Sequence, residues 1–195
     1  MNHQSDQYYI EQVLGGDTNA FSFLVERYQN LVYTVVYRMI RNNEEAEEVA
    51  QDAFIKAYKS LSNYRGEAKF STWLYTIAYR KSLDAIKAKK RFTSTELIEE
   101  ISEGEAGLVN DALSYLQDKE RKQIISDSIL TLPEVEAAII TLYYYDEKSV
   151  KEIKEIVGLT EDNIKIKLYR SRKKLYSILK HHISPEINTK NGQAI

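Results

Sequence analysis

The sequence predicts an all-α protein of two small helical domains joined by an acidic linker. Apolar residues recur at three- and four-residue spacing through most of the chain, the period of a helix with one buried face. Helix breakers are few, with two prolines and seven glycines among 195 residues. Charge is segregated into blocks. Residues 1–64 carry a net −4, residues 65–91 a net +6, residues 92–136 a net −8 and residues 137–195 a net +4. Two basic blocks separated by an acidic one predict two contacts with polyanions on one chain. Either block alone would also fit a solvated face.

Residues 6–14 read as a short helix stopped at Gly15-Gly16-Asp17. A long helix follows to about Ile40, with Phe21, Leu24, Val25, Tyr28, Val32, Val35, Val36 and Met39 on its apolar side. Asn42-Asn43 breaks it, and Asn43 is expected to cap the next helix, with Glu44 and Glu45 in its first turn. That helix runs to about Leu61 and buries Val49, Ala50, Ala53, Phe54, Ala57 and Leu61. A polar loop, Ser62 to Glu67, leads to a helix from Thr72 to about Lys90 that Ser71 is expected to cap.

After Arg91 the pattern fades. Residues 92–120 hold eight acids and one lysine, and read as an acidic, flexible linker of modest helicity. A helix within 111–131 ends before Pro133, and Pro133-Glu134 opens another that reaches Tyr145. Asp146-Glu147-Lys148 is a turn, Ser149 to Val157 a short helix, and Glu161 to about His182 a longer basic one. Residues 183–195 read as a frayed tail. The expected domains are thus 1–91 and 121–182.

The same residues exclude several classes. There is no cysteine, hence no disulfide, thiolate metal site or Cys nucleophile, which suits a reducing compartment. The three histidines, His3, His181 and His182, lie near the termini without ligand spacing, and no phosphate-loop glycine pattern occurs. Neither an enzyme, a metal site nor a cofactor is expected. No basic segment followed by an apolar run opens the chain, and no apolar stretch approaches the roughly 20 residues of a membrane span. A cytoplasmic chain without stable membrane insertion is expected.

Three constellations remain. In 149–175, SVKEIKEIVGLTEDNIKIKLYRSRKKL, Ser149 and Glu152 form a capping box, and Gly158 allows the left-handed turn into a second helix capped by Thr160. Ile164, Leu168 and Leu175 bury one side of that helix. Lys165, Lys167, Arg170, Arg172, Lys173 and Lys174 are expected on the other. This is the pattern of a helix-turn-helix whose basic second helix enters the DNA major groove. In 63–91, Tyr64, Trp73, Tyr75 and Tyr79 interleave with Arg80, Lys81, Lys87, Lys89, Lys90 and Arg91. Such interleaving suits single-stranded DNA, with rings to stack on bases and cations for phosphates. Spacing alone equally allows Trp73 and Tyr79 to be core. In 44–52, Glu44, Glu45, Glu47, Glu48, Gln51 and Asp52 form an acidic face, either solvated or facing a basic protein.

Taken together and in order, these segments resemble the extracytoplasmic-function sigma factors of the sigma-70 family, from Asp6 to about His182. GDTNAFSFLVERYQNLVYTVVYRMI and EEAEEVAQDAFIKAYKSL look like region two and its helix that docks on the polymerase clamp. YRGEAKFSTWLYTIAYRKSLD looks like the segment that melts and holds the minus-ten element. LPEVEAAIITLYYYDEKSVKEIKEIVGLTEDNIKIKLYRSRKKL looks like region four.

The resemblance implies roles. Glu48, Gln51 and Asp52 stand at polymerase-docking positions. Asn63, Tyr64, Arg65 and Gly66 stand where the family captures a flipped base, with Trp73, Tyr75, Arg80, Lys81 and Lys87 on the melting helix. Lys165, Ile166, Lys167, Tyr169, Arg170 and Lys173 stand at positions that meet the minus-thirty-five element. The implied partners are the clamp and flap of core RNA polymerase, promoter DNA both double- and single-stranded, and an anti-sigma factor. Thr76 stands where Arg is common in the family and Arg80 where Asn is frequent, while Ile166 replaces a frequent Ser and Lys154 a small Ala. None of these departures removes the fold, but Arg80 and Ile166 prevent a promoter sequence from being carried over. A free-standing helix-turn-helix regulator is the rival reading, and a helical adaptor without a DNA role a third.

Overall fold

Eight α-helices make up the described residues, 4–90 and 118–183, of a computed structural model of the chain. Helix α1 is Asp6–Leu14, capped by Ser5, whose hydroxyl accepts from the Tyr8 amide. A 3-10 turn, Thr18–Ala20, leads into α2, Phe21–Ile40. Arg41 ends α2 in the left-handed region at φ 60°, and its amide donates to the Tyr37 carbonyl. Helix α3 is Asn43–Lys59, and a 3-10 turn, Leu61–Asn63, then leads toward α4, Phe70–Lys90.

Two caps differ from expectation. Asn42, not Asn43, caps α3, because its extended backbone lets its side-chain oxygen accept from the Glu45 amide. Asn43 lies one residue inside, where its side chain accepts from the Tyr33 hydroxyl. Ser71 also lies inside its helix, which begins at Phe70; its hydroxyl is buried and accepts instead from Lys148.

The second group comprises α5 (Asp118–Leu130), α6 (Glu134–Tyr145), α7 (Val150–Val157) and α8 (Glu161–Ile183). Pro133 stands at the N-cap of α6, where its missing N–H costs nothing. Residues 118–120 of the expected linker open α5, while its residues 92–117, the part of the expected helix before 118, and the tail beyond 183 lie outside the described residues.

Alanines 46, 50, 53 and 57 face inward from α3, and their small side chains let that helix approach α2 and α4 closely. Leu24, Val32, Val35 and Val36 of α2 and Phe70, Leu74 and Ala78 of α4 fill the space between. In the second group, Ile139, Ile140 and Leu142 of α6 meet Ile153 and Ile156 of α7 and Ile164 and Leu168 of α8.

The two groups share one continuous core. Helix α2 packs against α6, and α4 against α7. The seam is partly polar. Arg38, only 3% exposed, donates to the Thr141 hydroxyl at 2.8 Å and lies 4.1 Å from the Tyr145 ring centre. Arg41 donates to the Leu132 carbonyl. Lys148, 8% exposed, donates to the Ser71 hydroxyl at 2.9 Å and pairs with Asp146 at 3.0 Å. Desolvated cations persist only with such partners.

Candidate nucleic-acid interface

The turn between α7 and α8 builds the first candidate surface. Ser149 caps α7 by accepting from the Glu152 amide, while the Glu152 carboxylate accepts from the Ser149 amide at 2.9 Å and hydroxyl at 2.8 Å. This is the capping box read from the sequence. Burial pushes the Glu152 carboxyl up, but the Ser149 hydrogen bonds, Lys69 and Lys148 outweigh it and hold the group at about 2. Gly158 closes α7 at φ 74°, and its amide donates to the Lys154 carbonyl. Thr160 then accepts from the Asn163 amide, capping α8. Lys154 reaches solvent across the turn, 3.6 Å from Glu161, so its long side chain does not crowd the turn.

The sides of α8 are sharply divided. Ile164, Leu168 and Ser171 are buried, while Asp162, Asn163, Lys165, Ile166, Tyr169 and Arg170 are exposed. Of the cations expected on the outer side, Lys167 and Lys174 are half-buried and Arg172 is exposed, and all three reach residues of neighbouring segments. Lys167 turns to Glu136 of α6 at 3.3 Å, Lys174 donates to the Thr131 carbonyl, and Arg172 donates to the Tyr144 hydroxyl at 2.6 Å. Lys173 is half-buried. The outward cations of the first three turns are therefore Lys165 and Arg170. Asn163, absent from the sequence expectations, joins them; its place in the first turn of the second helix was the signal, since an amide there can reach a base edge.

The loop before α4 forms the second surface. Asn63 ends the 3-10 turn and is exposed, as are Arg65 and Gly66, the latter at φ 73°. The Tyr64 ring stands 5.7 Å from Phe70, edge to face, and 5.4 Å from Trp73. Its hydroxyl donates to the Ala68 carbonyl at 2.7 Å, which pins the loop. Trp73 is half-buried beside it, so these two rings lie together at the loop. Arg80, Lys81 and Lys87 follow along α4, with Arg80 and Lys87 exposed. Lys69, also missed, projects from the loop end and pairs with Glu152 at 3.0 Å.

Tyr75 is placed differently. It is 1% exposed, and the Lys148 ammonium lies 5.6 Å from its ring centre. Burial, followed by the charge of Asp146, raises its hydroxyl far above its usual range. With α7 against α4, nucleic acid cannot reach this ring. Tyr79 is buried as well.

The third surface is the outer side of α3. Glu48, Gln51 and Asp52 are all exposed there. Asp52 pairs with Lys81 at 2.8 Å and Glu45 with Lys89 at 3.0 Å, so the acidic side of α3 borders the basic side of α4. Among the described residues no cluster of His, Cys, Asp or Glu could hold a metal ion, and no helix is long and apolar enough to cross a membrane.

The chain matches the family models for sigma-70 region 2 over residues 24–92 and sigma-70 region 4 over residues 122–175. It is 37% identical over 175 residues to the ECF RNA polymerase sigma factor SigW of Bacillus subtilis, covering 85% of this chain and 92% of that protein. It is 32% identical over 174 residues to the ECF RNA polymerase sigma-E factor of Escherichia coli K12, covering 86% and 91% respectively. Among solved structures, CnrH in complex with the cytosolic domain of CnrY superposes with a TM-score of 0.64 at 19% identity, covering 91% of this chain and 99% of that one. The sigma factor RpoE of Bartonella quintana, solved with the anti-sigma factor NepR, gives 0.63 at 18% identity, covering 82% and 96%. At these identities the two structures speak for the fold.

Proposed function

We propose a division of labour among three surfaces on the premise that this chain belongs to the extracytoplasmic-function family of RNA polymerase sigma factors, which bind core polymerase and direct it to promoters. The domains we assign are 1–91 for polymerase docking and the minus-ten element, 92–120 as linker, and 121–182 for the minus-thirty-five element. The helix-turn-helix at 149–175 carries the reading best. A capping box, a left-handed glycine and a buried inner face fix α8, and Lys165, Ile166, Tyr169 and Arg170 project from its first turns.

In this reading α8 lies in the major groove of the upstream element. Its cations take phosphates and guanine edges. The loop at Asn63, Tyr64, Arg65 and Gly66, with Trp73, captures a base flipped from the minus-ten element, and Arg80, Lys81 and Lys87 follow the backbone. Unstacking costs a few kcal/mol, and stacking on an aromatic side chain returns about 1–3 kcal/mol. Glu48, Gln51 and Asp52 dock on a basic surface of the polymerase. Contact of Tyr75 with DNA requires α7 to move off α4, whereas the loop residues require no such movement. An anti-sigma factor is a further partner we assign, as RpoE of Bartonella quintana was solved with one. No covalent chemistry is assigned to any residue, and the work is placed in the cytoplasm with the polymerase.

Run-off transcription on fragmented genomic DNA of the source organism, with core polymerase and with or without the protein, tests the reading. Discrete transcripts that depend on the protein support it. Tight, salt-dependent duplex binding by the protein alone, without transcripts, would favour a free-standing regulator. A Gln51→Ala, Asp52→Ala protein should compete poorly for core polymerase while remaining folded.

A further inference from the structure

The outer side of α8 carries two large apolar side chains that its packing does not use: Ile166 is 47% exposed and Tyr169 is 53% exposed. The core side is already supplied by Ile164, Leu168 and Ser171. At about 100° per residue, Ile166 points almost opposite to Ile164. Isoleucine is also a poorer helix former than lysine or arginine. Neither packing nor propensity accounts for it, so its reason lies in what α8 meets.

The neighbours of Ile166 define that partner. Lys165 precedes it, Tyr169 and Arg170 follow one turn later, and all are exposed. The side chain therefore sits between two cations, with Asp162 one turn before it paired to Lys165 at 3.6 Å, and this flank of Lys165 and Arg170 suits a nucleic acid groove. It has no hydrogen bond to offer a base edge. The one apolar group that a base presents in the major groove is the thymine 5-methyl. A cytosine or adenine opposite isoleucine would instead bury an amino group without an acceptor.

We propose that Ile166 is a specificity residue that reads the 5-methyl group of a thymine in the upstream promoter element. The proposal rests on the assignment of α8 to that element, and it adds the chemistry by which one base pair is chosen. Lys165 and Arg170 set affinity and register around it, and Ile166 selects.

The test uses the full chain with core polymerase on a promoter found by run-off transcription. Each thymine of the upstream element is replaced in turn by deoxyuridine, which removes only the methyl group. At one position the wild-type protein should form promoter complexes about three- to ten-fold less well, the loss expected for exposing roughly one methyl contact. Ile166→Ala should show the same loss on the thymine promoter and no further loss with deoxyuridine there. Ile166 is exposed, so its truncation leaves the helix intact, which circular dichroism checks. If no deoxyuridine position weakens the wild-type complex, or if Ile166→Ala keeps full sensitivity to every one, the proposal is overturned. Arg170→Ala and a scrambled upstream element separate the two layers. If both leave complex formation unchanged, α8 is not the reader and the underlying assignment fails.

Discussion

The Lys81 ammonium lies 2.8 Å from the Asp52 carboxylate, joining the outer side of α3 to that of α4. One pair thus spans a surface assigned to polymerase and another assigned to promoter DNA. Both partners are substantially exposed, so the pair itself is worth under about 1 kcal/mol. Lys81→Met should leave urea unfolding nearly unchanged. It should lower the slope of log K against log salt for holoenzyme on promoter DNA by about one, if Lys81 neutralises one phosphate. An unchanged slope would remove Lys81 from the DNA surface.

Arg38 is held across the seam by Thr141 and by the Tyr145 ring. Arg38→Ala removes a buried stem, a hydrogen bond and a ring contact together, and should cost about 2–4 kcal/mol in chemical denaturation. Arg38→Met keeps the stem and removes the desolvated charge, and should cost less than half as much. Equal losses from both would show that the charge, not the packing, holds the seam.

Glu152 gives the fold a pH signature. Its carboxyl is ordinarily near 4.5 and is held at about 2 in the folded chain. A lowered folded-state value means stability that is present above 4.5 and lost as pH falls toward 2. Glu152→Gln should therefore cost about 1 kcal/mol at pH 7. The gap from the wild type should narrow steadily below about pH 5. Urea midpoints of both proteins at several pH values measure it, and a constant gap would count against the carboxylate.

Gly158 stands at φ 74°, and a Cβ built there meets nothing within 4 Å. The cost of Gly158→Ala is therefore backbone strain alone, about 1–2 kcal/mol. Gly158→Asn should cost less, since Asn tolerates the left-handed region better. Thermal melts of both variants rank them.

Much of this was legible in the sequence because it is local. The capping box at Ser149, the glycine turn and the helix ends at Leu14, Ile40 and Val157 depend on neighbours a few residues away. The cap of α3 falls on Asn42, one residue before the expected Asn43, because two adjacent asparagines offer the same chemistry and backbone conformation decides between them. Ser71 offers the pattern of a cap, since serine before a helix usually is one. Its partner, Lys148, lies 77 residues away. Separation in sequence likewise hid the roles of Arg38, Lys167 and Lys174, which look like solvated cations until the opposing segment is in place. Charge composition could announce a basic helix, but it could not say which of its cations face outward.

Trp73 is the chain's single tryptophan, and it stands half-buried against Tyr64 at the loop before α4. The protein thus contains its own fluorophore at one place. Excitation at the red edge of indole absorption passes over all fifteen tyrosines and reports on this loop alone. A base stacking there would quench the emission or shift its colour. Strand capture could then be followed in real time on the unlabelled protein, with a polymerase whose own tryptophans have been replaced or subtracted.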